Sequence, residues 1–257
     1  MTDTPHNQRI VSQFTRWAKP FAALPIHAEA DAMARTLAAC ALAPDCSVLD
    51  VACGPGILAC AMAGQVRHVT GIDLTPAMIA QARVRQSAQG LANVAWHVGD
   101  ATALPFPDAG FDRVTTRYSF HHMPDPAAVL AEMKRVCRPD GRIVVIDATP
   151  SAETQQAYDA MERLRDPSHT SALTLETLRR IGREAGLEEM AVDGYRLEAQ
   201  LDTLADSQDM PALMALFEAD IASGQDRLGV GAWRGPTGVR FHFPVSIMAW
   251  RCVKDVG

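Results

Sequence analysis

No stretch of this 257-residue chain approaches the ~18–20 uninterrupted apolar residues that a membrane span needs. Its opening stretch, Met1 to Arg9, is polar and lacks the apolar segment of a secretory signal. Both absences lead us to expect a cytoplasmic protein without a membrane span. An excess of basic charge is missing too: 24 Lys and Arg stand against 30 Asp and Glu, a formal net charge of −6. Non-specific nucleic-acid binding rests on clustered Lys and Arg, so no nucleic-acid partner is expected. The most basic local run, Arg179-Arg180 with Arg183, reads as a solvated helix face. The six cysteines form no C-x-x-C pair and no Cys/His spacing that suits zinc, which leaves them as small buried hydrophobes and predicts no metal site. Internal repeats and low-complexity linkers are also absent.

What is present is an alternation of strand and helix signals. Residues 8–21 and 27–42 read as helices, with a break from Pro20 to Pro25. Val48 to Val51 is a short apolar strand, and residues 55–64 a helix with Pro55 near its first turn, where a missing N–H costs nothing. His68 to Ile72 is a second strand. Thr75 is placed to cap the next helix, which Pro76 opens and which runs to about Gln89. Val94 to Val98 and Phe111 to Thr116 are the third and fourth strands, the latter entered through Asp108-Ala109-Gly110. A helix over 126–137 and a Pro139-Asp140-Gly141 turn lead to a fifth strand, Arg142 to Asp147. Continuous apolar strands alternating with helices predict an α/β fold with a parallel sheet covered on both faces. After Pro150 helices are expected over 152–165, 174–186 and 209–222. Glu188 to Arg196 and His242 to Arg251 read as antiparallel neighbours at a sheet edge. Residues 197–235 give the weakest signal.

The sharpest local pattern is Val48-Leu49-Asp50-Val51-Ala52-Cys53-Gly54-Pro55-Gly56, a strand running through a glycine-rich turn into a helix. Glycine lets a backbone turn sharply and approach a ligand with no Cβ between them. In open parallel sheets ligands bind beyond the carboxyl ends of the strands, where this turn lies. Gly54-x-Gly56-x-x-Ala59 could be a dinucleotide fingerprint. Asp73, about 20 residues on, could take both hydroxyls of a ribose in either kind of cofactor. Three features tip the balance, and Asp50 is the first: a carboxylate before the glycines repels a pyrophosphate but suits the ammonium of a methionine moiety. Asp100, in Gly99-Asp100-Ala101 after the third strand, can accept from an adenine amine, with the Ala101 N–H beside the ring. Met78 can cover an adenine face.

On five segments in order, DVACGPG at 50–56, GIDLTPAMI at 71–79, GDATALPFPDAGFD at 99–112, SFHHMPDP at 119–126 and RPDGRIVVID at 138–147, the chain resembles the class I S-adenosylmethionine (SAM)-dependent methyltransferases. Within them it is most similar to the branch of the ubiquinone/menaquinone-biosynthesis C-methyltransferases. The resemblance is close over about 45–150 and loose elsewhere. It implies a single Rossmann-like, doubly wound, mostly parallel seven-stranded sheet with an antiparallel edge. Residues 1–44 would be N-terminal helices forming a lid, 45–150 the SAM-binding core, and 151–257 acceptor-side helices and edge strands. It also implies that Asp50, Gly54 and Gly56 form the methionine-side loop and that Asp73 holds the ribose. Leu74 and Met78 would lie beside the adenine, Asp100 and Ala101 at its edge, and Arg117 to Ser119 beneath the methionine and methyl group.

Methyl transfer from a sulfonium is an in-line displacement by an already activated donor, so the protein mainly positions the partners and excludes water. An oxygen or nitrogen acceptor can need a base. His121 and His122, after the fourth strand, are suited to proton transfer near neutral pH, although for His122 a role in shaping the cofactor site is favoured over catalysis. His169, in Asp166-Pro167-Ser168-His169, either faces the acceptor or shapes its loop. His242, between Phe241 and Phe243, reads as a strand histidine. Phe14, Trp17 and Phe21 form an aromatic stripe that is either core or lid, and Trp233 and Arg234 either line a pocket or sit in a loop. Cys53 reads as a small filler in the glycine turn. The expected function is therefore methyl transfer from SAM to a small molecule, with S-adenosylhomocysteine as product. An NAD-linked oxidoreductase and a non-catalytic SAM-binding protein are the alternatives. Methylation of a metalloid such as arsenite would need converging thiolates, which the scattered cysteines do not offer.

Overall fold

The computed structural model describes residues 4–23, 29–204 and 208–253. One sheet carries eight strands in the order β3-β2-β1-β4-β5-β8-β6, with a short β7 on β8. The strands are β1 (Ser47–Val51), β2 (His68–Asp73), β3 (Val94–Val98), β4 (Phe111–Arg117), β5 (Cys137–Ala148), β6 (Leu187–Gln200), β7 (Trp233–Gly235) and β8 (Gly238–Cys252). The first five are mutually parallel; β8 runs antiparallel between β5 and β6. The seven-strand expectation is one strand short. The missing one, β7, is three residues long, lies in a glycine-rich stretch, and is too brief to show any alternation.

The period of two along each strand divides the core. Leu49, Val51, Ile143, Val145, Met248 and Trp250 face one layer with Leu130, Met133 and Leu178. Their neighbours Val48, Val144, Ile146, Ile247 and Ala249 face the other, with Ala32, Leu58 and Met62. Helices α2 (Ala30–Cys40) and α3 (Ile57–Ala63) cover this second face. Helices α5 (Pro126–Val136) and α7 (Leu175–Glu184) cover the first. A third cluster packs α6 (Gln155–Arg165) and α8 (Met210–Ser223) over the far half of β8 through Tyr158, Met161, Phe217 and Phe241. Asp125 accepts the Ala128 N–H and Pro126 opens α5, so the start of that helix follows from its sequence. Thr75 precedes α4 (Pro76–Ala88) as expected, yet its hydroxyl caps no helix amide; its own N–H instead donates to Asp73.

Helix α1 (Pro5–Ala23) corrects a second expectation, because Pro20 lies inside it. Proline removes one helical hydrogen bond, and here it falls in the last turn, where little helix remains to be broken. The other end of the expected break, Pro25, lies outside the described residues. Arg85 ties α1 down: Nη2 donates to the Ala22 carbonyl at 2.9 Å and Nε to that of Pro55 at 3.1 Å. Among the described residues no helix is long and apolar enough to cross a membrane.

Candidate active site

Strand order reverses between β1 and β4, and a crevice opens beyond their carboxyl ends. A cleft of about 1100 Å³, its open mouth included, lies there. Its walls include Asp50, Gly54, Asp73, Leu74, Met78, Asp100, Ala101, Arg117 and Ser119, so nine of the ten residues expected to touch cofactor come together. Asn7, Ile10, Phe14 and Phe21 of α1 close one side. Asn7 also donates to the Asp100 carboxylate at 3.1 Å.

Gly56, the tenth, does not line the cleft. Its φ is +73°, and a Cβ there would sit 2.5 Å from the Trp96 ring, so this glycine serves turn geometry and packing. Gly54, at φ +52°, has open space where a Cβ would go. The Gly54 N–H donates to Asp73 at 2.8 Å, as does that of Thr75, and these two bonds aim the carboxylate along the mouth of the glycine turn. Burial raises the pKa of Asp73, and the two amides oppose the rise. Asp100 is held at its other oxygen by the Thr102 N–H and hydroxyl, at 2.9 and 2.7 Å.

Asp50 is 1% exposed. Burial pushes its pKa up to about 7, against opposition from the Thr115 hydroxyl, Arg117 and the Ala59 amide. Oδ1 accepts the Thr115 hydroxyl at 3.0 Å; among the described residues Oδ2 has no partner at hydrogen-bonding geometry. A buried acceptor without a donor is costly unless a ligand supplies one, and a ligand ammonium does so. Three carboxylates at the ends of three adjacent parallel strands, with apolar Leu74, Met78 and Ile72 beside them, therefore fit a molecule bearing an ammonium, a ribose and an adenine.

Sharing a wall with this cleft is a second cavity of about 850 Å³, its open mouth included, and Phe14, Phe21, Tyr118 and His122 line both. Tyr118 occupies the left-handed region at φ +56°, strained for a bulky residue. A hydrogen bond of 2.6 Å to the Tyr195 hydroxyl fixes its ring at the junction, and the Arg117 guanidinium sits 4.9 Å over it.

The three candidate histidines cluster, each beside a different carboxylate. His121 Nδ1 lies 2.5 Å from Asp147, whose oxygens also accept the N–H groups of Ser119, Phe120 and Ala148. Burial works against charge on this imidazole, but Asp147 outweighs it and holds the pKa above the ordinary value. For His122 burial and the nearby His121 win, and its pKa falls to about 3, so it is neutral at physiological pH. Its Nδ1 meets the Ser168 hydroxyl at 3.2 Å. His121 faces the second cavity; His169 lines neither. His169 is buried, with Nε2 on Asp159 at 2.8 Å. Trp233 and His242 stack on each other away from both cavities, and Cys53 lies in the cleft wall as a buried thiol whose pKa burial raises.

Reading the sequence residue by residue misses Asp147, although it ends one of the matched segments, because a strand-end acid looks like a turn residue until the β4 loop folds onto it. It also misses Glu162 and Arg165, which carry the spacing of an ordinary helix-surface pair but face the second cavity. Among the described residues no group of three His, Cys, Asp or Glu side chains could hold a metal ion.

Residues 49–145 match the family model of the methyltransferase domain. Over 167 residues the chain is 32% identical to the uncharacterized methyltransferase YcgJ of Bacillus subtilis, covering 64% of this chain and 66% of that one. It is 41% identical over 105 residues to a demethylmenaquinone methyltransferase of Thermus thermophilus, covering 40% of this chain and 47% of that one. A ubiquinone/menaquinone biosynthesis C-methyltransferase of Desulfotalea psychrophila is 41% identical over 108 residues, 41% and 43% of the two chains. The match thus spans just under two thirds of the first relative and less than half of the other two. The crystal structure of YcgJ superposes with a TM-score of 0.78 at 22% identity, over 88% of this chain and 99% of that one, a likeness of fold. The chain carries a methyltransferase domain.

Proposed function

We propose that this methyltransferase-domain protein binds SAM in the first cleft and methylates a small molecule held in the second cavity. The observation that carries the reading is Asp50: a buried carboxylate with one oxygen unpartnered among the described residues, at the strand end where a dinucleotide's pyrophosphate would otherwise lie. Repulsion by that carboxylate disfavours an NAD-type ligand and favours an ammonium. In this reading Asp50 takes the ammonium and Asp73 the ribose hydroxyls. Asp100 and Ala101 take the adenine edge, and Met78 packs on the ring. Arg117 and Ser119 lie under the methionine portion. When bound, SAM supplies a methyl group on a sulfonium sulfur, whose loss leaves a neutral thioether.

The protein's own part is placement and dryness. Phe14 and Phe21 of α1, with Tyr118 and His122, form the wall that the two cavities share. The second cavity has the size of a small-molecule site. A concave pocket of that size, open at its mouth, together with the net negative charge, supports a small-molecule acceptor over a nucleic acid. Of the three candidate histidines, His121 is supported best as the proton acceptor, since it faces the second cavity and Asp147 orients it. Turnover of SAM to S-adenosylhomocysteine across a panel of hydroxylated, amine and thiol acceptors tests this function. Turnover with any member supports it; SAM binding without turnover across the whole panel favours a SAM-binding protein that does no chemistry.

A further inference from the structure

Two of the cysteines, Cys137 and Cys252, line neither cavity and meet at the other end of the sheet. Cys137 follows α5 directly, and its N–H donates to the Lys134 and Met133 carbonyls, which fixes where β5 begins. Cys252 ends β8, which runs antiparallel to β5. The register brings the two together. Arg142 pairs with Arg251, so one further step places Cys252 opposite Gly141. Gly141 has no side chain to fill that corner, and the Cys137 sulfur fills it: a Cβ on Gly141 would lie 2.6 Å from Cys137 Sγ. There the Cys137 thiol donates a hydrogen bond to the Cys252 sulfur, and both side chains belong to one buried cluster. The pair is asymmetric. That hydrogen bond and the Lys134 ammonium lower the pKa of Cys252 against the effect of burial. A bond of 2.9 Å from Lys134 Nζ to the Ala185 carbonyl keeps the ammonium in place. The same thiol–thiol bond, with burial, raises the pKa of Cys137. Cys252 is therefore the thiol that ionises first, and the thiolate is the form that reacts. Access comes from the strand end. The β8–β6 ladder stops at the Leu187–Cys252 pairing, and Val253 beyond it is 44% exposed. Terminal pairs open at low free energy, so Cys252 reaches solvent by local opening without global unfolding.

We propose that Cys137 and Cys252 form an intramolecular disulfide when the protein meets a hydroperoxide, clamping the end of β8 to the start of β5. The Cys252 sulfur attacks one peroxide oxygen. The O–O bond breaks, and the other oxygen leaves as water or an alcohol, which gives a sulfenic acid at Cys252. The Cys137 sulfur then attacks the Cys252 sulfur. The S–S bond forms, the S–O bond breaks, and the hydroxyl leaves as water with the Cys137 proton. Two thiols lose two electrons and two protons, and the peroxide gains both. A thiol reductant reverses the bond. The closed loop runs from the start of β5 to the end of β8, so the bond restricts the unfolded chain and stabilises the fold.

Hydrogen peroxide on the purified full chain tests this, followed by an acid quench, alkylation under denaturing conditions and non-reducing peptide mapping. Alkylatable thiols should fall from six to four, with one crosslinked species joining the peptides of Cys137 and Cys252. The oxidised chain should melt several degrees higher than the reduced one, and dithiothreitol should return it to the starting value. In Cys137→Ala the sulfenic acid has no thiol to meet, so dimedone should label Cys252. In Cys252→Ala dimedone should leave Cys137 unlabelled. No loss of thiols, a different pairing such as Cys53 with the nearby Cys60, or crosslinking between chains through Cys252 would each overturn the proposal. So would an oxidised chain that melts lower than the reduced one. If either variant fails to fold, as judged by circular dichroism, the wild-type map and melt decide.

Discussion

Asp50 and Thr115 face each other across the β1–β4 pairing, and the Thr115 hydroxyl satisfies one carboxylate oxygen at 3.0 Å while the other has no donor at hydrogen-bonding geometry among the described residues. Burial lifts the pKa of this carboxyl to about 7, so at mildly acid pH the empty site is protonated. Binding an ammonium requires the anion. SAM affinity should therefore fall about tenfold per unit as the pH drops below 7, with about one proton released on binding there. Calorimetry in buffers of different ionisation heat reads that proton. Affinity that stays constant from acid to neutral pH would contradict the assignment.

The same shift makes a stability prediction. A carboxyl whose folded pKa lies above its unfolded value binds more protons in the folded state, so stability falls as pH rises from about 4 to about 7. Above that window the ionised Asp50 costs up to roughly 3–4 kcal/mol. Asp50→Asn should consequently melt higher than wild type at pH 8 in the absence of ligand, and bind SAM worse. A lower melting temperature for this variant at pH 8 would show that the carboxylate is satisfied in the free protein.

Asp73→Ala should weaken SAM binding by roughly 1.5–3 kcal/mol, since the ribose loses a charged acceptor. It also frees the Gly54 and Thr75 amides, so Asp73→Asn, which keeps one acceptor, should recover part of the affinity. Unchanged affinity in Asp73→Ala would remove the ribose from this place.

The two glycines of the turn should separate. Gly56→Ala drives a methyl into Trp96 at positive φ and should lower the melting temperature by several degrees, with affinity for SAM following only through loss of fold. Gly54→Ala has room for its methyl and carries only the backbone cost, on the order of 1 kcal/mol, but its loop faces the ligand. It should weaken SAM binding more than it weakens the fold. Thermal melts and calorimetry on both variants would expose the opposite pattern.

His169 and His121 should part in the same way. His169→Gln disturbs a buried bond to Asp159 and should cost about 1–3 kcal/mol of stability, with turnover per folded molecule unchanged. A selective loss of turnover in a fully folded His169→Gln protein would return this residue to the chemistry.

The parallel half of the sheet was legible because each strand is a continuous apolar run closed by a turn residue, and the cofactor cleft because its acids stand at those strand ends. Asp50, Asp73 and Asp100 are close to their turns in sequence, so local pattern places them. The second cavity is built by residues far apart in the chain: Phe14 from α1, His121 after β4, Arg165 from α6, Phe243 from β8. Each of these has an ordinary local explanation, as aromatic stripe, turn, helix pair or strand residue, and only the tertiary fold shows that they meet. Glu162 is the clearest case. Its i,i+3 spacing from Arg165 is that of a solvated pair, yet it is 2% exposed.

The central claim is that the first cleft is built for SAM, and titrating the purified protein with SAM and separately with NADH tests it most directly. Saturable SAM binding in the micromolar range, with no heat from NADH, is the predicted result. Binding of NADH without binding of SAM would contradict it, and would mean that the Asp50 carboxylate tolerates a pyrophosphate.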